Sequence, residues 1–194
     1  MRAPWIYRVS AWALEAGMRA LRGLEVRGAE NIPPEGKLIV AVNHVSIIDP
    51  PLAAVALHHI RYARFLGKEE LFRIPVLNAW MRACGVIPLD RSRGDVAALR
   101  EALGVLQGGG CMVIFPEGTR SRTGRPGRPR AGVGLLARES GAPVLPARVE
   151  RTGTFLSGGP LGIRFGKPLA FSGGAGKRNC QDFAETVMAE ILLL

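Results

Sequence analysis

The stretch Lys37–Pro50, "KLIVAVNHVSIIDP", sets the fold that we expect for this chain. Its apolar run from Leu38 to Val42 is unbroken, which is typical of a strand that is covered on both faces in an α/β protein. Pro50 and Pro51 come soon afterwards and indicate the first turn of a helix. The polar residues between these two elements therefore lie at the carboxyl end of a strand, where open α/β sheets bind their ligands.

The rest of the chain repeats this alternation of strand and helix. Further segments with strand character are Leu24–Arg27, Tyr62–Leu66, Val86–Leu89, Cys111–Phe115, Val144–Val149 and Gly162–Phe165. Helical patterns occupy residues 50–59, 74–83, 95–107, 132–140 and 182–193. The sequence therefore predicts a layered α/β fold, with a mostly parallel or mixed sheet flanked by helices. At 194 residues, the chain suits one such domain with a short appended element.

The charge balance points to an anionic partner. The chain has 26 Lys and Arg against 16 Asp and Glu, a formal net charge of +10. Nucleic acid, an anionic membrane surface and phosphorylated small molecules all satisfy this excess. A nucleic-acid-binding module is the weaker alternative, because aromatic residues make up only 6% and do not interleave with the basic run 120–130.

Three cysteines lie far apart, at Cys84, Cys111 and Cys180, without metal-binding spacing. We therefore expect neither a disulfide framework nor a zinc site, and a reducing cytosol fits best. The adjacent histidines at 58 and 59 lie near a predicted helix end and are expected on the surface. No stretch is predicted to cross a bilayer, because polar residues and prolines interrupt the longest weakly charged segment, residues 38–60.

Residues 4–24 predict an amphipathic N-terminal helix with a narrow, mainly basic face and a wide apolar body. The narrow face comprises Arg8, Glu15, Arg19 and Arg22. Trp5 and Trp12 fall at the border between the faces, where amphipathic aromatic rings sit in helices at a lipid–water interface. The alternative is a helix that packs on its own domain and leaves its arginines in water.

His44 and Asp49 are the candidates for acid–base chemistry. Asp49 could accept a hydrogen bond from one imidazole nitrogen and leave the other nitrogen free to take a proton. The spacing alone also fits a structural pair, and both interpretations stay open on these residues. No G-x-S-x-G is present, so a serine acyl-enzyme is not expected. Ser46 is expected to be a turn residue.

Two later segments could bind a phosphate. "GVIPLDR", residues 85–91, ends in Arg91, whose guanidinium can form paired hydrogen bonds to phosphate oxygens. In "VIFPEGTRSRTG", residues 113–124, a strand leads into Gly118, Thr119 and Arg120, a plausible phosphate cradle. Glu117 would repel an anion, so we expect it to organise the arginines or to accept from a ligand hydroxyl. The alternative is a solvated basic loop.

The ordered blocks "NHVSIIDP", "GVIPLDR", "FPEGTRSRTG" and "VLPARV" (Val144–Val149) resemble the glycerolipid acyltransferase family that contains 1-acyl-sn-glycerol-3-phosphate acyltransferases. The resemblance also includes "GKEELFRIPVLNAWMRACG" (residues 67–85) and "RFGKPLAF" (residues 164–171), and spans roughly residues 25–175. Pro88 and Asn78 depart from the residues frequent in the family at these positions. Neither position touches the proposed proton path, and both bear on the acyl-chain or acceptor pocket.

The resemblance implies acyl transfer from a thioester, on acyl carrier protein or coenzyme A, to the free hydroxyl of lysophosphatidate. His44 would be the general base and Asp49 its orienting partner. The implied acceptor-phosphate ligands are Arg91, Glu117, Gly118, Thr119 and Arg120, with Lys68 as a further candidate. No cofactor or metal is implied. We accordingly expect a membrane-associating helix over residues 1–24 and an acyltransferase domain over residues 25–194, bound to anionic lipids at the cytoplasmic face of the membrane as a peripheral or monotopic protein.

Overall fold

A mixed sheet runs through the centre of the protein. The computed structural model describes residues 2–90, 95–121, 127–153, 158–174 and 176–194. Its strands are β1 (Leu24–Arg27), β2 (Leu38–Val42), β3 (Ala63–Lys68), β4 (Ile87–Leu89), β5 (Cys111–Ile114), β6 (Val144–Glu150) and β7 (Leu161–Phe165). They lie in the order β1-β7-β6-β2-β5-β3-β4. The predicted α/β class is confirmed.

The five strands from β6 to β4 are parallel, whereas β7 runs antiparallel to β6, and β1 runs parallel to β7. The register places Ala41 of β2 beside Ile114 of β5 and Phe65 of β3 beside Val113 of β5. The segments that follow β2, β5, β3 and β4 therefore all lie at the carboxyl ends of the parallel strands. This is where open α/β sheets bind their ligands.

Six α-helices are described around this sheet. They are α1 (Trp5–Arg22), α2 (Asp49–Leu57), α3 (Pro75–Ala83), α4 (Val96–Gln107), α5 (Gly132–Ser140) and α6 (Lys177–Leu193). Short 3₁₀ segments cover Ala29–Asn31 and Glu69–Arg73. Most boundaries lie within two residues of the prediction, but α6 begins five residues earlier than expected. Its first turn is polar in sequence, so the apolar pattern does not show that Cys180 already faces the core.

Both faces of the sheet are covered, which explains the unbroken apolar run in β2. Leu38, Val40 and Val42 pack on one side with residues of α1 and α2. Ile39 and Ala41 pack on the other side with residues of α4, α5 and α6. All five residues are fully buried, so β2 fixes the start of the following loop rigidly.

Helix α1 lies against the domain with one face and exposes the other. Tyr7, Ala11, Glu15 and Met18 are buried, whereas Trp5 and Trp12 are 74% and 57% exposed. Glu15, which the helical projection places on the narrow, mainly basic face, is buried, and its carboxylate accepts hydrogen bonds from His58 and His59. The surface position expected for the two histidines holds for His59 but is wrong for His58, whose side chain is 3% exposed.

None of the helices in the described ranges combines the length and the apolar character needed to cross a bilayer. The division into a membrane-associating helix and an acyltransferase domain stays a prediction.

Candidate active site

His44 and Asp49 meet at the carboxyl end of β2. The ring nitrogen Nδ1 of His44 lies 2.9 Å from Oδ2 of Asp49, and both residues are buried. Asp49 is the first residue of α2, so the apolar strand and the helix start fix the two ends of the loop between them. The two side chains that the sequence singles out are therefore direct hydrogen-bond partners.

The same carboxylate oxygen organises the loop. Oδ2 of Asp49 also accepts hydrogen bonds from the backbone N–H groups of Val45, at 2.6 Å, and Ser46, at 2.7 Å. The hydroxyl of Ser46 accepts from the backbone N–H of Ile48, which agrees with the expected turn residue. Three converging donors hold this carboxylate in one orientation.

The imidazole of His44 has one engaged and one available nitrogen. With Nδ1 directed at Asp49, the tautomer that donates from Nδ1 leaves Nε2 as an acceptor. Within the described part of the chain, Nε2 has no hydrogen-bond partner. The ring of Phe115 stacks on the imidazole, with centroids 4.2 Å apart and 27° between the planes. This contact fixes the orientation of the ring from a second side.

Glu117 joins the histidine loop to the segment after β5. Its Oε2 accepts the backbone N–H of His44 at 3.0 Å, and its Oε1 accepts the N–H of Gly127 at 3.3 Å. Burial raises the pKa of this carboxyl, and these two hydrogen bonds oppose the rise. Both oxygens are therefore engaged with backbone, and a direct phosphate contact for Glu117 stays a prediction.

The glycine–threonine–arginine segment lies immediately beyond. Gly118 has a φ of 74°, a left-handed conformation that favours glycine. A Cβ at this position would also contact the side chain of Arg130 at 3.0 Å. Thr119 and Arg120 are exposed, and the N–H of Ser121 donates to the carbonyl of His44 at 2.9 Å. The exposed donors of Thr119 and Arg120 therefore belong to a segment that is hydrogen-bonded to the backbone of the buried His44.

Of the two remaining phosphate candidates, Lys68 belongs to a strand farther along the sheet from β2. Lys68 ends β3, two strands from β2 and thus about 10 Å away in the sheet. It is exposed and forms an ion pair with Glu70 at 2.9 Å. Arg91 follows β4 and lies outside the described residues. A cavity of about 430 Å³ adjoins this end of the sheet and includes Phe72, Pro88 and Asp90, but not His44, in its lining.

The sequence interpretation assigned no role to Asn43, although it directly precedes His44. Its side-chain oxygen accepts the backbone N–H of Val149 at 2.8 Å, and its amide nitrogen donates to the Val149 carbonyl at 3.3 Å. The amide therefore continues the pairing of β2 with β6 past the last residue of the strand. A polar residue at the end of a fully apolar strand was the available signal for this role.

The family of the chain follows from comparisons with known proteins. The family model described as Acyltransferase matches residues 23–150. A chloroplastic 1-acyl-sn-glycerol-3-phosphate acyltransferase of Brassica napus is 34% identical over 142 residues, which make up 72% of this chain and 40% of the relative. The chain belongs to the acyltransferase family.

Two further relatives support this membership of the acyltransferase family. A 1-acyl-sn-glycerol-3-phosphate acyltransferase of Borreliella burgdorferi is 33% identical over 150 residues, covering 76% of this chain and 57% of the relative. The crystal structure of the 1-acyl-sn-glycerophosphate acyltransferase from Thermotoga maritima superposes with a TM-score of 0.77 at 28% identity, covering 93% of this chain and 76% of that chain. The chain thus spans only 40% and 57% of the two sequence relatives.

Proposed function

We propose that this acyltransferase transfers a fatty acyl group from an acyl thioester to the free hydroxyl of lysophosphatidate, giving phosphatidate. The observation that carries the proposal is the hydrogen-bonded pair of His44 and Asp49 at the carboxyl end of β2, where open α/β sheets bind ligands. The three relatives, which are 1-acyl-sn-glycerol-3-phosphate or 1-acyl-sn-glycerophosphate acyltransferases by name, support the choice of acceptor. The formal charge of +10 suits both a phosphate-bearing acceptor and an acidic donor.

The proposed reaction uses His44 as the general base. Nε2 takes the proton from the acceptor hydroxyl while the hydroxyl oxygen attacks the thioester carbonyl carbon. The carbon–sulfur bond then breaks, and the leaving thiolate receives the proton back from Nε2. Asp49 stays ionised throughout and stabilises the imidazolium that forms between these two transfers. The products are an ester and a free thiol, and no acyl group is attached to the protein.

The arginine segment would position the acceptor. We assign Gly118, Thr119 and Arg120 to its phosphate. Thr119 and Arg120 supply exposed side-chain donors, and Gly118, whose N–H donates to the carbonyl of Phe115 at 2.9 Å, supplies the left-handed turn that presents them. Held in this way, the phosphate places the hydroxyl at Nε2 and converts binding energy into orientation. Arg91 stays a predicted ligand of the phosphate, and Lys68 stays a predicted ligand of the phosphate or of the developing oxyanion.

Peripheral association with the cytoplasmic face of a membrane is part of the proposal, because the acceptor is a lipid. The exposed Trp5 and Val9 of α1 and the exposed Val76 of α3 support it. The indole N–H of Trp80 on α3 donates to Ser10 on α1 at 2.9 Å, which connects the two helices. Arginines nearby would add attraction to anionic lipids, about 1 kcal/mol for each charge near the surface.

Deletion of residues 1–22 is a poor test of this attachment, since it would also remove the buried Tyr7 and Met18 from the core. We therefore propose Trp5→Glu with Val9→Glu, and co-sedimentation with vesicles of anionic phospholipid. Val96→Glu on α4 is the matched control, because Val96 is 64% exposed on the other side of the sheet. Loss of binding in the double variant alone supports the surface; equal binding by all three proteins contradicts it.

The activity itself is tested with the purified chain, a panel of acyl carrier protein and coenzyme A thioesters, and a panel of lysolipids, with products identified by mass spectrometry. Phosphatidate formed only from lysophosphatidate supports the proposal. A product from another lysolipid alone would keep the chemistry and replace the acceptor. Hydrolysis of the thioester without any acylated lipid would contradict the transfer. An oligonucleotide titration in parallel is expected to detect no specific binding.

A further inference from the structure

Glu15, His58 and His59 form a compact cluster of ligand atoms on the side of the sheet that carries α1 and α2. Oε2 of Glu15 lies 2.8 Å from Nε2 of His58 and 2.8 Å from Nε2 of His59. Glu15 belongs to α1, and the two histidines directly follow α2. The mechanism proposed above uses none of these three residues. We propose that they bind a divalent transition-metal ion of the zinc class.

The donor set carries this proposal. Two imidazole nitrogens and one carboxylate oxygen converge on a single region, with all three atoms within 4.8 Å of one another. Two histidines and one carboxylate are a recurrent ligand set for such ions, with water in the remaining positions. Bonds of about 2.0 Å in a tetrahedron separate ligand atoms by about 3.3 Å, so each of the two 2.8 Å contacts of Glu15 with the histidines has to open by about 0.5 Å.

The surroundings of the three ligands also fit a metal site. Arg19 binds the other oxygen of Glu15, with its Nε 2.9 Å and its Nη2 2.8 Å from Oε1. This ion pair holds the carboxylate so that Oε2 alone faces the histidines, in the way that outer partners orient metal ligands. Glu15 and the side chain of His58 are buried, whereas the side chain of His59 is 50% exposed. An ion can therefore reach the cluster from solvent on the His59 side.

Binding would replace the two hydrogen bonds with metal–ligand bonds. Each imidazole has to present an unprotonated Nε2, so its hydrogen moves to Nδ1 or leaves as a proton. The ion would then connect α1 to the carboxyl end of α2, the helix whose first residue is Asp49. Because the unfolded chain does not hold these ligands together, the ion should stabilise the folded protein.

The test uses the full chain after treatment with a chelator, titrated with Zn²⁺ by calorimetry and with Co²⁺ by absorption spectroscopy. We expect one equivalent to bind and to raise the melting temperature. His59→Gln is the primary variant, because its exposed side chain leaves the core unchanged, and Glu15→Gln is the second. Each should weaken Zn²⁺ binding at least about tenfold, since even the loss of an outer partner has an effect of that size.

The chain has only three histidines, so His44→Gln is the matched control and should bind Zn²⁺ as the unchanged protein does. Trp12 gives a second readout, because its ring lies 5.5 Å from His58 and 5.1 Å from His59. Bound Cu²⁺ should therefore quench its fluorescence, and Trp12→Phe should remove that response. No stoichiometric binding, or binding that is equal in His59→Gln and lost in His44→Gln, would overturn the proposal.

Discussion

Replacement of Asp49 by Asn tests the proposed base most directly, because it removes the charge while the hydrogen-bond geometry can remain. Oδ2 of Asp49 accepts from His44, Val45 and Ser46, whereas its Oδ1 is buried without a partner in the described residues. An asparagine can place its amide oxygen at the Oδ2 position and keep all three hydrogen bonds. Its NH2 group then occupies the position of Oδ1.

The structure allows the two effects of this change to be estimated separately. A buried amide donor without an acceptor costs about 1–3 kcal/mol of folding free energy, so the variant should still fold. The lost attraction between a carboxylate and an imidazolium about 4 Å apart is about 4 kcal/mol at an effective dielectric constant of about 20. Because about 1.4 kcal/mol corresponds to tenfold in rate, kcat should fall by about 10³. General bases typically contribute about 10²–10⁴.

The assay follows thiol release and acylated lipid with the donor and acceptor that support turnover, and circular dichroism confirms the fold of each variant. Asp182→Asn is the control, because it makes the same chemical change at an exposed position of α6. His44→Ala should lose at least as much activity as Asp49→Asn. A folded Asp49→Asn protein that keeps a tenth or more of the unchanged kcat would refute the reasoning.

Three further changes test the phosphate segment, the buried carboxylate and the packing. Arg120→Ala should raise KM for the acceptor about ten- to a hundredfold through the loss of a charge-assisted hydrogen bond, whereas exposed Arg178→Ala should leave KM unchanged. Burial raises the pKa of Glu117, so the folded protein holds this proton more tightly than the unfolded chain, and stability should fall as pH rises above the usual carboxyl range. In urea unfolding, Glu117→Gln should flatten this fall of the unfolding free energy with pH. Parallel pH profiles for the variant and the unchanged protein would contradict Glu117 as the cause. Gly134→Ala should lower the free energy of unfolding by about 1–3 kcal/mol, because its Cβ would overlap the Cys180 carbonyl, while Gly132→Ala meets nothing and should cost nothing.

The strands of this protein could be predicted well because most of them are buried on both faces. The run from Leu38 to Val42 has no polar residue to disturb the pattern, and its observed bounds are the predicted ones. The contact between His44 and Asp49 was also accessible, because a short loop joins a strand end to a helix start and leaves few arrangements. Local sequence patterns were therefore sufficient to predict β2 and the contact between His44 and Asp49, which a single strand, loop and helix start determine.

Contacts between distant segments were not accessible in the same way. Glu15 and His58 are 43 positions apart, and only the packing of α1 on α2 brings them together. On a helical projection, Glu15 falls among arginines on the narrow face, and this pattern gave no sign of its contact with two histidines. The contact of Glu117 with the N–H of His44 likewise depends on β2 and β5 being neighbours in the sheet, which periodicity does not encode.

The interval between His44 and Asp49 follows from the dual use of one carboxylate oxygen. Oδ2 receives the N–H groups of Val45 and Ser46, so the loop has to wind around the carboxylate before α2 begins. Within this interval the loop presents both N–H groups and the imidazole to one oxygen, and the stacked ring of Phe115 holds the imidazole from its other side. The loop that shapes the site is thus held by the same atom that orients the base. Loss of the imidazole should leave this loop intact, whereas loss of the whole carboxylate would free two backbone donors and unwind it.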